Sequence, residues 1–227
     1  MLIDVIIPAA GCGQRMGSRG PKGLISLGSQ TVLQRQIQQL KFVFPGCRVV
    51  VVGGHKHDKL YKSLPKGTTF VLNTEHADTN VSKSIEVGFQ YTKADVPALI
   101  VYGDLVFNYA ALLGIKPDES SVVVEDTSTR EDEVGVSVVD GMAGQFAFGM
   151  TPRWAHIAMM MPREKELFVK ASLPAHRFRY FGYEILNEVI KDGGSFKVIK
   201  PDSMRLVEID SAKDIDKAVE LARENPL

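Results

Sequence analysis

Two hydrophobic patterns alternate along the first half of the chain. Short β-branched runs at residues 5–7, 49–52 and 70–72 are separated by stretches at 31–40 and 57–64 in which apolar residues recur at helical spacing. The first kind predicts strands and the second amphipathic helices, and their alternation is the rhythm of β-α-β units. A mostly parallel sheet flanked by helices is the expected result. A further helix is expected from Asn80, whose side chain suits an N-cap, with Val81, Ile85, Gly88 and Phe89 on one face. It feeds a strand at 98–102 that runs out into Gly103 and Asp104, which puts Asp104 at the carboxyl end of a strand.

Beyond Asp104 the pattern changes. Strand-like runs at 122–124, 135–139 and 145–149 follow one another with turns and no long helix between them, which predicts a small β-rich insertion. Helices return at 163–171 and 183–191, followed by strands at 196–199 and 206–209. The last helix is expected to open at Ser211, with Asp214 three residues on in a capping-box pattern, and to bury Ile215, Ala218, Val219 and Ala222. No repeat, low-complexity tract or linker interrupts the series. The expectation is α/β architecture in a single domain over residues 1–227: a Rossmann-like mixed, mostly parallel sheet.

Charge and cysteine content narrow the partners. Lys plus Arg number 27 and Asp plus Glu number 27, so no net positive field draws the protein onto nucleic acid or an anionic membrane. Charged ligands must be held by local groups. Cys12 and Cys47 lie in different segments without CxxC spacing, which speaks against a disulfide framework or a cysteine-based zinc site. No signal-peptide pattern and no bilayer-spanning apolar run is present, and a cytoplasmic location is expected. A homodimer is left open.

The first turn carries the chemistry. After the first strand the chain reads Ala9-Ala10-Gly11-Cys12-Gly13-Gln14-Arg15-Met16-Gly17, and Pro21-Lys22 follows. Glycines here leave backbone N–H groups bare enough to approach an anion directly. A dinucleotide fingerprint fails, because Met16 stands where its third glycine should be and the strand at 49–52 ends in Gly53-Gly54 rather than an acid. A Walker loop fails because Lys22 is followed by Gly23. What remains is a loop with Arg15 and Lys22 set to reach one polyphosphate.

The segment PAAGCGQRMGSRGPKGLISLGSQTVLQ resembles the signature of the sugar-nucleotide and CTP-dependent nucleotidyltransferase superfamily, and most of all its methylerythritol-phosphate and phosphocholine cytidylyltransferases. The family pattern, A-A-G-x-G-x-R-M, a short gap and P-K, is met at each of those positions. Gly103-Asp104, and Glu208-Ile209-Asp210 ahead of the helix at Ser211, follow in family order. The resemblance implies the nucleotide-diphospho-sugar transferase fold and transfer of a nucleoside monophosphate, CMP from CTP above all, to a phosphorylated acceptor with release of pyrophosphate. It also implies roles. Arg15 would grip the leaving phosphates and Lys22 the α-phosphate. The nucleotide would lie against Ala9, Ala10, Gly11, Gly13 and Gly103, with Asn80 and Ser84 on the following helix, Ser84 touching cytosine unless the alignment slips to Ser82. Asp104 and Asp210 would hold Mg²⁺, a hard cation that takes oxygen ligands and commonly few carboxylates.

Alternatives stay open at this point. A hexose-1-phosphate thymidylyl-, uridylyl- or guanylyltransferase, or a molybdenum-cofactor nucleotidyltransferase, would carry a similar loop. A catalytically idle nucleotide-binding scaffold would not need Arg15, Lys22, Asp104 and Asp210 together. On the acceptor side, the aromatic cluster Phe178, Tyr180, Phe181 and Tyr183 with the acidic run from Glu125 to Glu133 is either a cradle for a cationic group such as choline or core beside a solvated loop. Arg177 and Arg179 are candidates for an acceptor phosphate. His55, His57 and His76 read as solvent-facing rather than metal-binding, residues 159–161 as packing, and Cys12 as a modifiable thiol within the loop.

Overall fold

The computed structural model describes residues 2–13, 20–127 and 129–226. The first half follows the expected order: β1 (Asp4–Ala9), α1 (Val32–Val43), β2 (Arg48–Gly53), α2 (His57–Ser63), β3 (Thr69–Leu72), α3 (Val81–Phe89) and β4 (Ala98–Val101). β1 pairs in parallel with both β2 and β4, and β2 with β3. α1 begins where a capping box is written into the sequence: Thr31 Oγ1 accepts the Gln34 N–H while the Gln34 side chain accepts the Thr31 N–H.

These strands read as continuous apolar runs because both of their faces are covered. Val5, Ile7, Val49, Val51, Leu99 and Val101 pack with Leu33, Ile37 and Leu40 of α1 and Leu60 of α2. Ile6, Val50, Val52 and Ile100 pack on the other face with Ile85 and Phe89 of α3. α4 (Pro162–Ser172) and α5 (Gly182–Lys191) cover that same face through Phe168, Ala171, Ile185, Leu186 and Val189.

The β-rich stretch after β4 comprises β5 (Leu105–Phe107), β6 (Ser121–Glu125), β7 (Val134–Val139), β8 (Met142–Phe148) and β9 (Arg153–Met160). With β10 (Lys197–Ile199), most of these strands extend the same sheet, in the order β3-β2-β1-β4-β9-β6-β10-β8-β7. Strand β9 is the largest element the sequence pattern does not announce. It runs antiparallel between β4 and β6, so nearly all of Arg153–Met160 is buried and no in–out alternation remains to be read. β5 stands apart, pairing antiparallel with β11 (Leu206–Glu208) in a two-stranded sheet.

The final helix, α6 (Asp214–Glu224), starts three residues later than Ser211. The carboxylate of Asp214 reaches back to accept the N–H groups of Asp210 (3.1 Å) and Ser211 (2.8 Å) and the Ser211 hydroxyl (2.9 Å), so residues 211–213 form a turn rather than a first helical turn. Ala218, Leu221 and Ala222 bury against Val32, Val106 and Ile209, while Ile215 and Val219 are half-buried.

Candidate active site

The β1 loop, the turn after β4 and the chain after β11 meet at one cleft of about 850 Å³, a volume ordinary for a small-molecule site. Its floor is the turn after β1. Ala9, Ala10, Gly11, Cys12 and Gly13 all line it, with Gly13 in the left-handed region at φ +60°. Gly103 presses on this turn: a side chain there would meet Ala9 Cβ and the Pro8 carbonyl at 2.9 Å, so only glycine lets the two turns touch. Arg15, assigned to the leaving phosphates, lies outside the described residues.

Lys22 opens a short 3₁₀ turn, Lys22–Leu24, and its Nζ donates to Asp104 Oδ2 at 2.9 Å and to Asp210 Oδ1 at 3.0 Å. Burial works against the ammonium, but the charges and hydrogen bonds of Asp104 and Asp210 outweigh it and raise its pKa. The two aspartates come together through β5 and β11. Their antiparallel register sets Glu208 opposite Leu105, and Ile209 N–H continues the ladder by donating to the Asp104 carbonyl at 3.0 Å. Asp104 therefore leads into one strand just where Asp210 leaves the other.

The same register brings in Glu208, which the sequence reading placed in a motif without giving it a role. In extended chain, residues two apart share a side, so Glu208 and Asp210 face the cleft while Ile209 is fully buried beside α6. Ligand oxygens of Asp104, Glu208 and Asp210 lie within 4.8 Å of one another. Burial and the Glu208 charge raise the Asp104 carboxyl, against the pull of Lys22. Glu208 differs: burial pushes it up, but His156 and Arg153 outweigh that and hold it at about 2. Asp104 Oδ1 is buried without a hydrogen-bond partner among the described residues. An orphaned carboxylate oxygen beside two more carboxylates is a donor set that fits a hard divalent cation.

On α3, Ser84 is buried and also lines the cleft. The Glu75 N–H donates to Asn73 Oδ1, which fixes the amide so that Asn73 Nδ2 donates to Ser84 Oγ at 3.1 Å. Ser82, the other candidate in that helix, donates to the Tyr180 carbonyl at 2.5 Å and does not line the cleft. Asn80 lines it but caps α3, accepting the Val81 N–H at 2.9 Å and donating to the Arg179 carbonyl at 3.3 Å.

The aromatic cluster divides. Phe181 and Tyr183 face the cleft with Phe148, ring against ring, whereas Tyr180 packs on the core and Phe178 lies outside. The acidic run divides too. Arg153 ties down Glu125 and Glu133, while Glu131, Asp132 and Glu133 border the cleft near those rings. Neither Arg177 nor Arg179 lines it: Arg177 is held by Glu188 at 2.6 Å and Arg179 donates to the Asp78 carbonyl. His76 lines the cleft with Nδ1 at 3.1 Å from the Asn73 carbonyl, and His57 is exposed. Cys12 is an exposed free thiol in the loop.

Residues 5–159 match the family described as MobA-like NTP transferase domain. A 2-C-methyl-D-erythritol 4-phosphate cytidylyltransferase of Shewanella sediminis is 31% identical over 98 residues, 43% of this chain and 42% of the relative. The Bifunctional protein GlmU of Alkaliphilus metalliredigens is 35% identical over 104 residues, 46% of this chain and 22% of the relative. The chain thus spans less than half the length of these curated relatives. Among solved structures, a CTP:phosphocholine cytidylyltransferase from Streptococcus pneumoniae (LicC) superposes with TM-score 0.78 at 18% identity, covering 97% of this chain and 99% of that one. An inositol-1-phosphate CTP transferase from T. maritima superposes with TM-score 0.80 at 18% identity, covering 100% and 98%. These likenesses give the α/β nucleotidyltransferase fold, and among the described residues no helix is long and apolar enough to cross a membrane. With its first strands, glycine turn and Asp104 all inside the matched span, the chain belongs to the MobA-like NTP transferase family of nucleotidyltransferases.

Proposed function

We propose that the protein transfers CMP from CTP to a phosphorylated small acceptor and releases pyrophosphate. The observation that carries this reading is the meeting of the β1 loop, Lys22 and the three carboxylates at one cleft that the Asn73–Ser84 pair also lines. An acceptor phosphate oxygen would bond to the α-phosphorus as the bond to the bridging oxygen breaks, and the electron pair leaves with pyrophosphate. The acceptor is already ionised at neutral pH, so no general base is required. Lys22 keeps its proton and serves as a fixed positive charge against the α-phosphate. Arg15, by its place in the motif, would bind the departing phosphates. Asp104 and Asp210, with Glu208 beside them, would hold Mg²⁺, which supplies charge neutralisation and orientation of the phosphate oxygens.

The base contact proposed is a hydrogen bond from Ser84 to cytosine N3. Because Ser84 Oγ accepts from Asn73, its own proton remains to donate. N3 of cytosine accepts such a proton, whereas the same position of uracil and thymine carries one, so that those bases could meet Ser84 only through a carbonyl oxygen. On the acceptor side the rings of Phe148, Phe181 and Tyr183 beside Glu131 and Asp132 suit a cationic head, as in phosphocholine.

A thermal-shift panel of CTP, dTTP, UTP, GTP and ATP with Mg²⁺, followed by pyrophosphate release with phosphocholine, polyol phosphates and hexose 1-phosphates, tests both halves. CTP should bind at least about ten-fold tighter than UTP, or about 1.4 kcal/mol, and Ser84→Ala should narrow that gap. Tighter binding of dTTP or GTP would remove the cytidylyl assignment alone. Absence of pyrophosphate from every pairing would remove the transferase reading.

A further inference from the structure

His156 belongs to no motif, yet the fold holds it in an unusual way. Along β9 the pairing with β6 runs Val122 to Ala158 and then Val124 to Trp154, so three residues of β9 stand opposite one of β6. His156 is the middle one of the three and has φ +55°, a left-handed conformation uncommon outside glycine, though histidine and asparagine adopt it more readily than most residues. The bulge keeps Ala155 and Ile157 in the core on the α1 side and places the imidazole in the cleft. There it stacks flat on Tyr102, with ring centroids 4.9 Å apart at 10°, and edge-on to Trp154 at 4.7 Å and 79°.

The ring is also set against the acidic cluster. Nδ1 lies 3.3 Å from Glu208 Oε2, out of hydrogen-bond alignment, and the same oxygen takes Arg153 Nη2 at 3.2 Å. Oε2 thus takes a hydrogen bond from Arg153 and has the imidazole in close polar contact. We infer that His156 is a positioning residue for the cation site: fixed by its bulge and by the Tyr102–Trp154 corner, it sets the Glu208 carboxylate beside Asp104 and Asp210. The role is that of a close polar contact rather than an aligned hydrogen bond, and it needs a proton on Nδ1, which the neutral and charged rings can both supply. Removing a partner that orients a ligating group commonly weakens metal binding about 10–100-fold. The inference rests on reading Asp104, Glu208 and Asp210 as a cation site.

Mn²⁺ is the probe, titrated into nucleotide-free protein and followed by the electron paramagnetic resonance signal of the free ion. The fluorescence of Trp154 gives a second readout, since it is the chain's single tryptophan and touches His156. His156→Gly relieves the backbone strain and removes the donor. His156→Asn tolerates the left-handed conformation and carries an amide N–H where Nδ1 stood. The glycine variant should bind Mn²⁺ about ten-fold more weakly or worse, and the asparagine variant within about three-fold of the parent. In a Glu208→Gln background, removing His156 should have no further effect. Should the glycine variant not fold, His156→Phe, which keeps the ring stack without the donor, takes its place. Parent-like Mn²⁺ binding in the donor-free variant, no rescue by asparagine, or an undiminished loss in the Glu208→Gln background would each overturn the inference while leaving the cation site standing. Failure of the parent to bind Mn²⁺ would overturn the site and the inference together.

Discussion

Lys22 has two duties that pull in opposite directions. Its ammonium pairs with Asp104 and Asp210, and in the proposed reaction it faces a phosphate. Removing it therefore has two separable consequences. Lys22→Ala should slow turnover about 10²–10³-fold, because a preorganised charge is lost where negative charge grows. Its affinity for Mn²⁺ without nucleotide should hold or rise, because the competing cation is gone. Steady-state kinetics and metal titration on one preparation check both, and an unchanged turnover number would end the catalytic assignment. Lys22 was legible in the sequence since the P-K pair follows its loop at short range, and Ser84 was legible to within one helical step of Ser82. Glu208 was half-legible: the spacing Glu208-Ile209-Asp210 already sets both acids on one side of an extended chain. His156 was not legible at all. Its approach to the cleft depends on a bulge between strands distant in sequence, which local pattern does not encode.

At the scale of elements, α1 holds the turn that presents Asp104. Gln36 and Gln39 sit on its buried face, a poor place for amides unless they are bonded. Gln36 Nε2 donates to the carbonyls of Tyr102 at 2.9 Å and Leu105 at 2.7 Å, and Gln39 Nε2 donates to that of Phe107 at 2.9 Å. The glutamines thus clamp both sides of the β4–β5 turn. Gln36→Leu should leave two carbonyls short of a donor and cost about 1–3 kcal/mol in urea unfolding. It should also weaken Mn²⁺ binding although residue 36 touches no ligand, whereas an unchanged metal titration would show that the turn holds its shape without the clamp. Elements with their own periodicity, such as α1, α3 and α5, were readable from the sequence to within a few residues. β5 is only three residues long, and β9 is buried on both faces, so neither offers a period to detect.

At the scale of the whole molecule, the proposed cation site requires that residues 104 and 210 be neighbours. The sequence sets both aspartates at the carboxyl ends of strands, and the fold keeps them there: Asp104 follows β4 and Asp210 follows β11. What local pattern does not supply is the step that joins them: β5 and β11 run antiparallel outside the main sheet, so the beginning of one strand meets the end of the other. Asp104 and Asp210 then share Lys22 at 2.9 and 3.0 Å, close enough that each changes the field at the other. Groups that act as a unit lose their function together when either is removed. Asp104→Ala and Asp210→Ala should each abolish most Mg²⁺-dependent turnover while near-ultraviolet circular dichroism stays native, and the double variant should be little slower than either single one. Losses that multiply would mean that the two carboxylates serve different steps. In that case the antiparallel pair would bring them together for packing around Lys22 rather than for a shared ion.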